Sequence, residues 1–302
     1  MSHSENTSKN WSFLIILALV WGSSFILIKR GLEVFSPGEL GAYRIVAAAT
    51  FLLPLSLPRV KYLKSQQIQN LILVGLVGSF IPAFLFAKAQ TQLSSSLTGV
   101  LNALTPLFVV VVGAIFFKSR ITKRNAWGLL IAFIGVIILV TVKEGSGFGA
   151  LTEINSYAFF VLLACLCYGF NLNLIKYRFI ELKPIEITAI SLLMVLPVAL
   201  IYLMAGTQFA YKLVSVQGAW TALGYVTLLG VLGTALALIL FNMMVKTASP
   251  VFASSVTYLI PVVAILWGVW DGEVLLLGHY LGIAAVILGV WIGNRKKVTA
   301  TS

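Results

Sequence analysis

The sequence predicts an all-α integral membrane protein whose ten transmembrane helices form two inverted five-helix repeats, and three observations carry that prediction. The 302 residues are 60% hydrophobic and only 10% charged, with a mean hydropathy of +1.01, whereas a soluble domain carries about 25% charged residues to face water. Ten runs hold the roughly 20 apolar residues needed to cross a hydrocarbon core about 30 Å thick. The first five runs repeat, in order, in the last five.

The ten runs cover 11–28, 38–57, 69–87, 95–117, 126–142, 154–175, 185–205, 219–245, 250–270 and 275–294. The first follows Lys9 but lacks a small-x-small cleavage site, so it is read as a retained helix and not as a secretory signal. Stretches such as Leu129 to Val142 are apolar at nearly every position, which excludes the alternating pattern of an outer-membrane strand. The connections are short, so the chain divides into a tail at 1–10, a first repeat at 11–142, a second at 154–294 and a tail at 295–302.

Orientation follows from the basic residues. Fifteen Lys and Arg, among them Arg59, Lys61, Lys118, Lys176 and Arg295, fall in the two tails and the even-to-odd connections. The opposite side holds Lys29, Arg30, Lys88, Lys143 and Lys212 with the acidic Glu33, Glu144, Glu153, Asp271 and Glu273. Both termini are therefore expected in the cytoplasm. The net charge of +12 reflects this asymmetry and not a nucleic-acid partner, because the basic residues are scattered between apolar runs.

A shift of 147 positions lays Gly22, Leu27, Ile28, Lys29, Pro37, Glu39 and Ala42 on Gly169, Leu174, Ile175, Lys176, Pro184, Glu186 and Ala189. Beyond the longer connection at Gly206 to Gln217, a shift of 155 lays Gly75, Gly78, Phe86, Ser94, Pro106 and Gly113 on Gly230, Gly233, Phe241, Ser249, Pro261 and Gly268. Five is odd, so the second copy enters the membrane from the other face. Inverted repeats of this kind recur in secondary transporters, which hold their solute near the midplane between the halves.

Trp21, Gly22, Ser23, Ser24 and Phe25, followed by Pro37 and Arg44, resemble the opening of EamA-type members of the drug/metabolite transporter superfamily. Pro106 with the small residues before it, Gly128, Gly135, Ser249, Pro250, Pro261, Gly282 and Gly289 extend the resemblance over residues 11 to 294. The resemblance implies ten helices in two inverted repeats, and export or exchange of small metabolites, commonly amino acids, across a bacterial inner membrane.

Polar residues within spans are costly and face a bundle interior or a wet cavity. A helical proline frees the carbonyl four residues earlier, so Pro106 and Pro261 free the carbonyls of Asn102 and Thr257 at equivalent positions. Each pair either lines a translocation path or satisfies its own kinked helix. Trp21 with Ser24, and their counterparts Tyr168 with Asn171, make two aromatic-plus-polar faces suited to an amphipathic solute. Asn242 and Tyr258 are further candidates. Arg44 is the one Lys or Arg well inside a span; it attracts a solute carboxylate, neutralises Glu39, or snorkels to the surface.

No Asp, Glu or His falls at the middle of a span, which favours uniport or exchange, or proton coupling through a shallow Glu39. Cys165 and Cys167 point about 200° apart on a helix and cannot share a metal, and no cofactor motif is present. The absence of paired carboxylates, a nucleophile elbow or a zinc motif argues against a membrane-embedded enzyme. Multidrug or lipid-related efflux stays open within transport. The expected partners are a small solute and the bilayer, and Gly278 with Gly282 leaves monomer and homodimer both open.

Overall fold

The computed structural model describes residues 3–119, 121–141, 155–178, 182–247 and 256–294. The tail at 295–302, the 142–154 connection, and Ser249 and Pro250 with the opening of the ninth run lie outside the described residues. All regular structure described is helical: α1 (His3–Leu32), α2 (Pro37–Val60), α3 (Ser65–Gly75), α4 (Ile81–Ala89), α5 (Ser95–Asn102), α6 (Thr105–Phe117) and α7 (Lys123–Thr141) in the first half. The second half holds α8 (Ala158–Arg178), α9 (Pro184–Ala205), α10 (Phe209–Ser215), α11 (Ala219–Gly230), α12 (Ala237–Thr247), α13 (Val256–Trp270) and α14 (Leu277–Asn294). Two π-helical turns, Leu76–Phe80 and Val231–Leu236, join α3 to α4 and α11 to α12.

Seven stretches among the described residues are long and apolar enough to cross a membrane: Trp11–Leu32, Pro37–Val60, Ser65–Ala89, Ser95–Phe117, Ala158–Arg178, Pro184–Ala205 and Ala219–Met244. Leu259–Trp270 and Leu277–Gly293 are shorter apolar helices. Large apolar side chains stand exposed on nearly all of them, for example Phe51, Ile201, Trp220 and Leu266, and on α7 at Phe133. Such a surface is unfavourable in water and costs nothing against lipid tails.

Local chemistry sets the helix starts. Pro37 opens α2 behind a capping box, in which Ser36 Oγ accepts from Glu39 N (3.3 Å) and Glu39 Oε2 from Ser36 N (2.7 Å). Pro184 opens α9 behind half of such a box, Glu186 Oε2 accepting from Lys183 N (3.0 Å) with no acceptor on the Lys183 side chain. The fourth run is broken where the sequence places its proline: α5 stops at Asn102 and α6 starts at Thr105. Pro261, in contrast, lies within a continuous α13.

Helices of one half pack on helices of the other. α1 lies on α13, α6 on α8, α2 on α9 and α7 on α14. Small residues allow the closest approaches: a Cβ on Gly128 would fall 2.5 Å from the carbonyl oxygen of Gly289, and one on Gly135 would fall 2.8 Å from that of Gly282.

Several contacts occur twice, at the offsets read from the sequence. Trp21 packs on Phe241 with ring centroids 5.3 Å apart, and Tyr168 on Phe86 at 6.0 Å. Gly22 lies against Val263, and Gly169 against Phe108. Gly230 abuts the backbone of Arg44, and Gly75 that of Ser191. The two π turns begin 155 residues apart.

Candidate functional site

The two π turns sit in the middle of apolar stretches, and each carries a glycine that a polar side chain from the other half approaches. A π turn inserts one extra residue into the helix, disturbs the hydrogen-bond ladder and occurs often at functional sites. A Cβ on Gly233 would lie 2.9 Å from Ser24 Oγ, and one on Gly78 2.6 Å from Asn171 Nδ2. Ser24 and Asn171 are repeat counterparts, as are the two glycines.

Three of the sequence-predicted residues converge on the second π turn. Trp21 Nε1 donates to the Gly233 carbonyl (3.0 Å), Ser24 abuts Gly233, and Arg44 Nε donates to Thr234 Oγ1 (2.8 Å). Tyr168 lies within electrostatic range of the Arg44 guanidinium. Asn171, one turn further along α8, is buried, and its Oδ1 has no hydrogen-bond partner. Trp21, Ser24, Arg44, Tyr168 and Asn171 thus form one neighbourhood around the π turns.

The other candidates are placed differently. The carbonyl freed by Pro106 is taken up locally: Thr105 Oγ1 donates to Asn102 O (2.8 Å) and lies 3.3 Å from Asn102 Oδ1. Asn242 Nδ2 donates to Thr188 Oγ1 (3.0 Å), linking α12 to α9. Thr257 is half-buried on α13. The Tyr258 side chain lies outside the described residues.

Glu39 does not pair with Arg44. Its Oε2 accepts from Lys212 Nζ at 2.7 Å, between the start of α2 and α10. Its repeat counterpart Glu186 pairs with Arg59 at the far end of α2. The Glu186–Arg59 pair ties the start of α9 to the end of α2, whereas the Glu39–Lys212 pair ties the start of α2 to α10.

A larger charge cluster closes one corner of the bundle. Lys29 Nζ lies 2.6 Å from Asp271 and 3.2 Å from Glu273, and Arg30 pairs with Asp271 and with Glu33 (2.7 Å). Gly272, at φ 84°, supplies the left-handed turn that brings both flanking carboxylates to Lys29. Glu273 also crowns α5: Oε1 accepts from Ser95 N (2.8 Å) and Oγ (2.6 Å), and Oε2 from Ser96 N (3.0 Å) and Oγ (2.6 Å). Burial works to raise the Glu273 carboxyl pKa, but these donors at a helix amino terminus outweigh it and hold it below its ordinary value. Beside the cluster opens a cavity of about 490 Å³, lined by Lys29, Glu33, Ser36, Gln90 and Lys212 among others.

The equivalent positions at the opposite end, near Lys176, are aromatic. Phe117 stacks on Tyr177 at 5.1 Å, and Phe170 meets Phe116 and Phe117 edge-on. Sequence reasoning missed Thr234, the π turns and the Glu273 cap. The repeated Gly75/Gly78 and Gly230/Gly233 spacing is the one signal that pointed towards the turns.

Comparison with known proteins places this architecture. The EamA-like transporter family matches the chain twice, at residues 9–141 and 155–295. An "Uncharacterized transporter" of Archaeoglobus fulgidus is 27% identical, covering 96% of this chain and 100% of its own. The "Uncharacterized inner membrane transporter YedA" of Escherichia coli K12 is 27% identical over 94% of this chain and 90% of that one. The "Probable terminal-alkyne amino-acid exporter" of Streptantibioticus cattleyicolor is 26% identical over 95% of each. A solved structure titled "Crystal structure of protein" superposes with a TM-score of 0.61 at 19% identity over 96% of both chains, a likeness of fold. With two family matches that together span both helical halves, this chain belongs to the EamA-like transporter family.

Proposed function

We propose that the protein is a secondary carrier that moves small organic solutes, amino acids foremost, across a bacterial inner membrane by alternating access. Its ten spans form two inverted five-helix repeats, the first at 11–142 and the second at 154–294, with both termini in the cytoplasm. The observation that carries this reading is the doubled set of cross-half contacts: Trp21 on Phe241 with Tyr168 on Phe86, and Ser24 at Gly233 with Asn171 at Gly78. Equivalent side chains meeting equivalent π turns across the halves supply two alternative arrangements of similar energy. Rocking between such arrangements is how inverted repeats expose one site to each face in turn.

The solute site in this reading is the neighbourhood of Trp21, Ser24, Arg44, Tyr168 and Asn171, with Asn102, Asn242, Thr257 and Tyr258 lining the path and Pro106 and Pro261 shaping it. An aromatic wall beside hydrogen-bonding groups suits an amphipathic solute. The name of the Streptantibioticus relative, an amino-acid exporter, supports the same class. Glu39 is tied to Lys212 and its own cap, which favours uniport or exchange over proton coupling.

Counterflow into proteoliposomes tests the reading. Purified protein is assayed with labelled amino acids, nucleosides, lipid analogues and cationic drugs, with and without a pH gradient. Accelerated uptake of amino acids by trans-loaded unlabelled solute is the expected result. Uptake confined to drugs or lipids, or none at all, refutes it.

A further inference from the structure

We propose that Arg44 is the receptor for an anionic group, a carboxylate or a small inorganic anion, that the protein binds between its two halves. This deepens the carrier reading and rests on it for the identity of the site. Arg44 is 9% exposed and lies eight residues into α2. A buried cation without a counter-charge is costly, yet among the described residues no carboxylate pairs with it.

The obvious intramolecular partner is occupied elsewhere. Glu39 lies five residues earlier, which on an α-helix places it about 140° around the axis, and its carboxylate is held by Lys212 and by Ser36 N. The guanidinium makes a single hydrogen bond, from Nε to Thr234 Oγ1 at 2.8 Å. That bond fixes the plane of the fork. Among the described residues Nη1 and Nη2 have no hydrogen-bond partner.

A guanidinium anchored through Nε with both terminal amino groups free presents the two-pronged donor that a carboxylate matches. The second orphan of the same neighbourhood is an acceptor: among the described residues Asn171 Oδ1 is buried without a partner, one turn from Tyr168, which lies within electrostatic range of Arg44. One ligand satisfies both, by offering an anion to Arg44 and an N–H or O–H to Asn171. Neutral amino acids have that pairing. Chloride or nitrate meets the first requirement alone.

The test uses the full-length protein in nanodiscs, with thermal stabilisation and direct titration as readouts. Neutral amino acids are compared with their amides and with the corresponding decarboxylated amines, and chloride and nitrate are titrated separately. The acids should bind roughly ten- to hundredfold tighter than the amides and amines, the range for a charge-assisted hydrogen-bonded pair. Arg44→Gln should abolish that preference, while Arg44→Lys, which keeps the charge and loses the fork, should retain part of it.

The comparison of acid with amide needs no variant and stands even if Arg44→Gln does not fold. Arg44-dependent binding of nitrate or chloride that no carboxylate displaces assigns the site to an inorganic anion. Equal binding of acids and amides, or no binding of any carboxylate or inorganic anion, overturns the proposal. Arg44-dependent binding without movement of any labelled solute across vesicles refutes the carrier reading and leaves the anion site. Transport that treats acids and amines alike and survives Arg44→Gln does the reverse.

Discussion

Asn171 lies so close to Gly78 that a Cβ added to the glycine would stand 2.6 Å from the Asn171 amide nitrogen. At the equivalent place in the other half, a Cβ on Gly233 would meet Ser24 Oγ at 2.9 Å. The amide is bulky and buried, whereas the serine hydroxyl can rotate. Gly78→Ala should therefore destabilise more than Gly233→Ala, by roughly 1–3 kcal/mol for the former, and should slow transport more. Thermal melts and counterflow rates of the two variants check the order, and equal effects would contradict it.

Glu273 makes the corner formed by α5 and the turn after α13 sensitive to acid. Its folded pKa is depressed, so the stabilisation it gives is fully present above the unfolded carboxyl value and is lost as pH falls through the lower, folded value. The melting midpoint of the wild-type protein should drop across that acidic window. Glu273→Gln should begin with a lower midpoint and show a shallower drop. A variant that melts as the wild type does at neutral pH would remove the carboxylate from this role.

The ion pairs at the two ends of α2 should not be worth the same. Glu39 is 3% exposed and Lys212 23%, while Arg59 is 53% exposed to solvent. Removing Lys212 leaves a buried carboxylate without its cation, at a cost of roughly 3–5 kcal/mol for a fully buried pair and less here. Arg59→Gln loses a solvent-screened pair worth about 0–1 kcal/mol. Chemical denaturation of Lys212→Gln and Arg59→Gln measures the difference, and Glu39→Gln in the Lys212→Gln background should recover most of the larger loss.

Lys29 and Asp271 join the end of α1 to the turn after α13. In an alternating-access carrier this contact must break whenever that face opens. Asp271→Asn should raise the reactivity of a cysteine placed at Thr91, in the adjoining cavity, towards a membrane-impermeant reagent. Asp271→Glu, which keeps the carboxylate, should retain most of the protection. Unchanged labelling of Asp271→Asn would show that the contact does not gate that face.

Much of this was legible in the chain because bilayer physics imposes simple demands. Apolar run length located the seven stretches among the described residues long enough to cross a membrane, and the glycines and aromatics that repeat at two offsets marked contacts that occur twice in space, as with Phe86 and Phe241. Pro106 lies in the first turn of α6, just after the break that ends α5, whereas Pro261 lies inside a continuous helix. What Pro106 freed was satisfied by Thr105, a local partner that the sequence showed but did not rank. Arg44 was harder. Along the chain Glu39 is its nearest carboxylate, yet helical geometry turns the two apart, and Thr234, the residue that holds it, is 190 positions away. The π turns left no mark beyond the repeated Gly75/Gly78 and Gly230/Gly233 spacing, since glycines are also common in ordinary membrane helices. The cap that Glu273 places on Ser95 and Ser96 joins segments nearly 180 residues apart and needed the fold to be seen.

The charged corner at Lys29 and the stacked rings at Phe117 and Tyr177 occupy matching stations at opposite mouths of one molecule. Dissolved electrolyte loosens the first by screening its exposed Lys29 and Arg30, though less than a wholly exposed pair because Asp271 and Glu273 are shielded, and chilling loosens the second by weakening apolar cohesion. The two ends would then answer to separate environmental variables, so brine and cold should shift the balance between the two open faces in opposite senses.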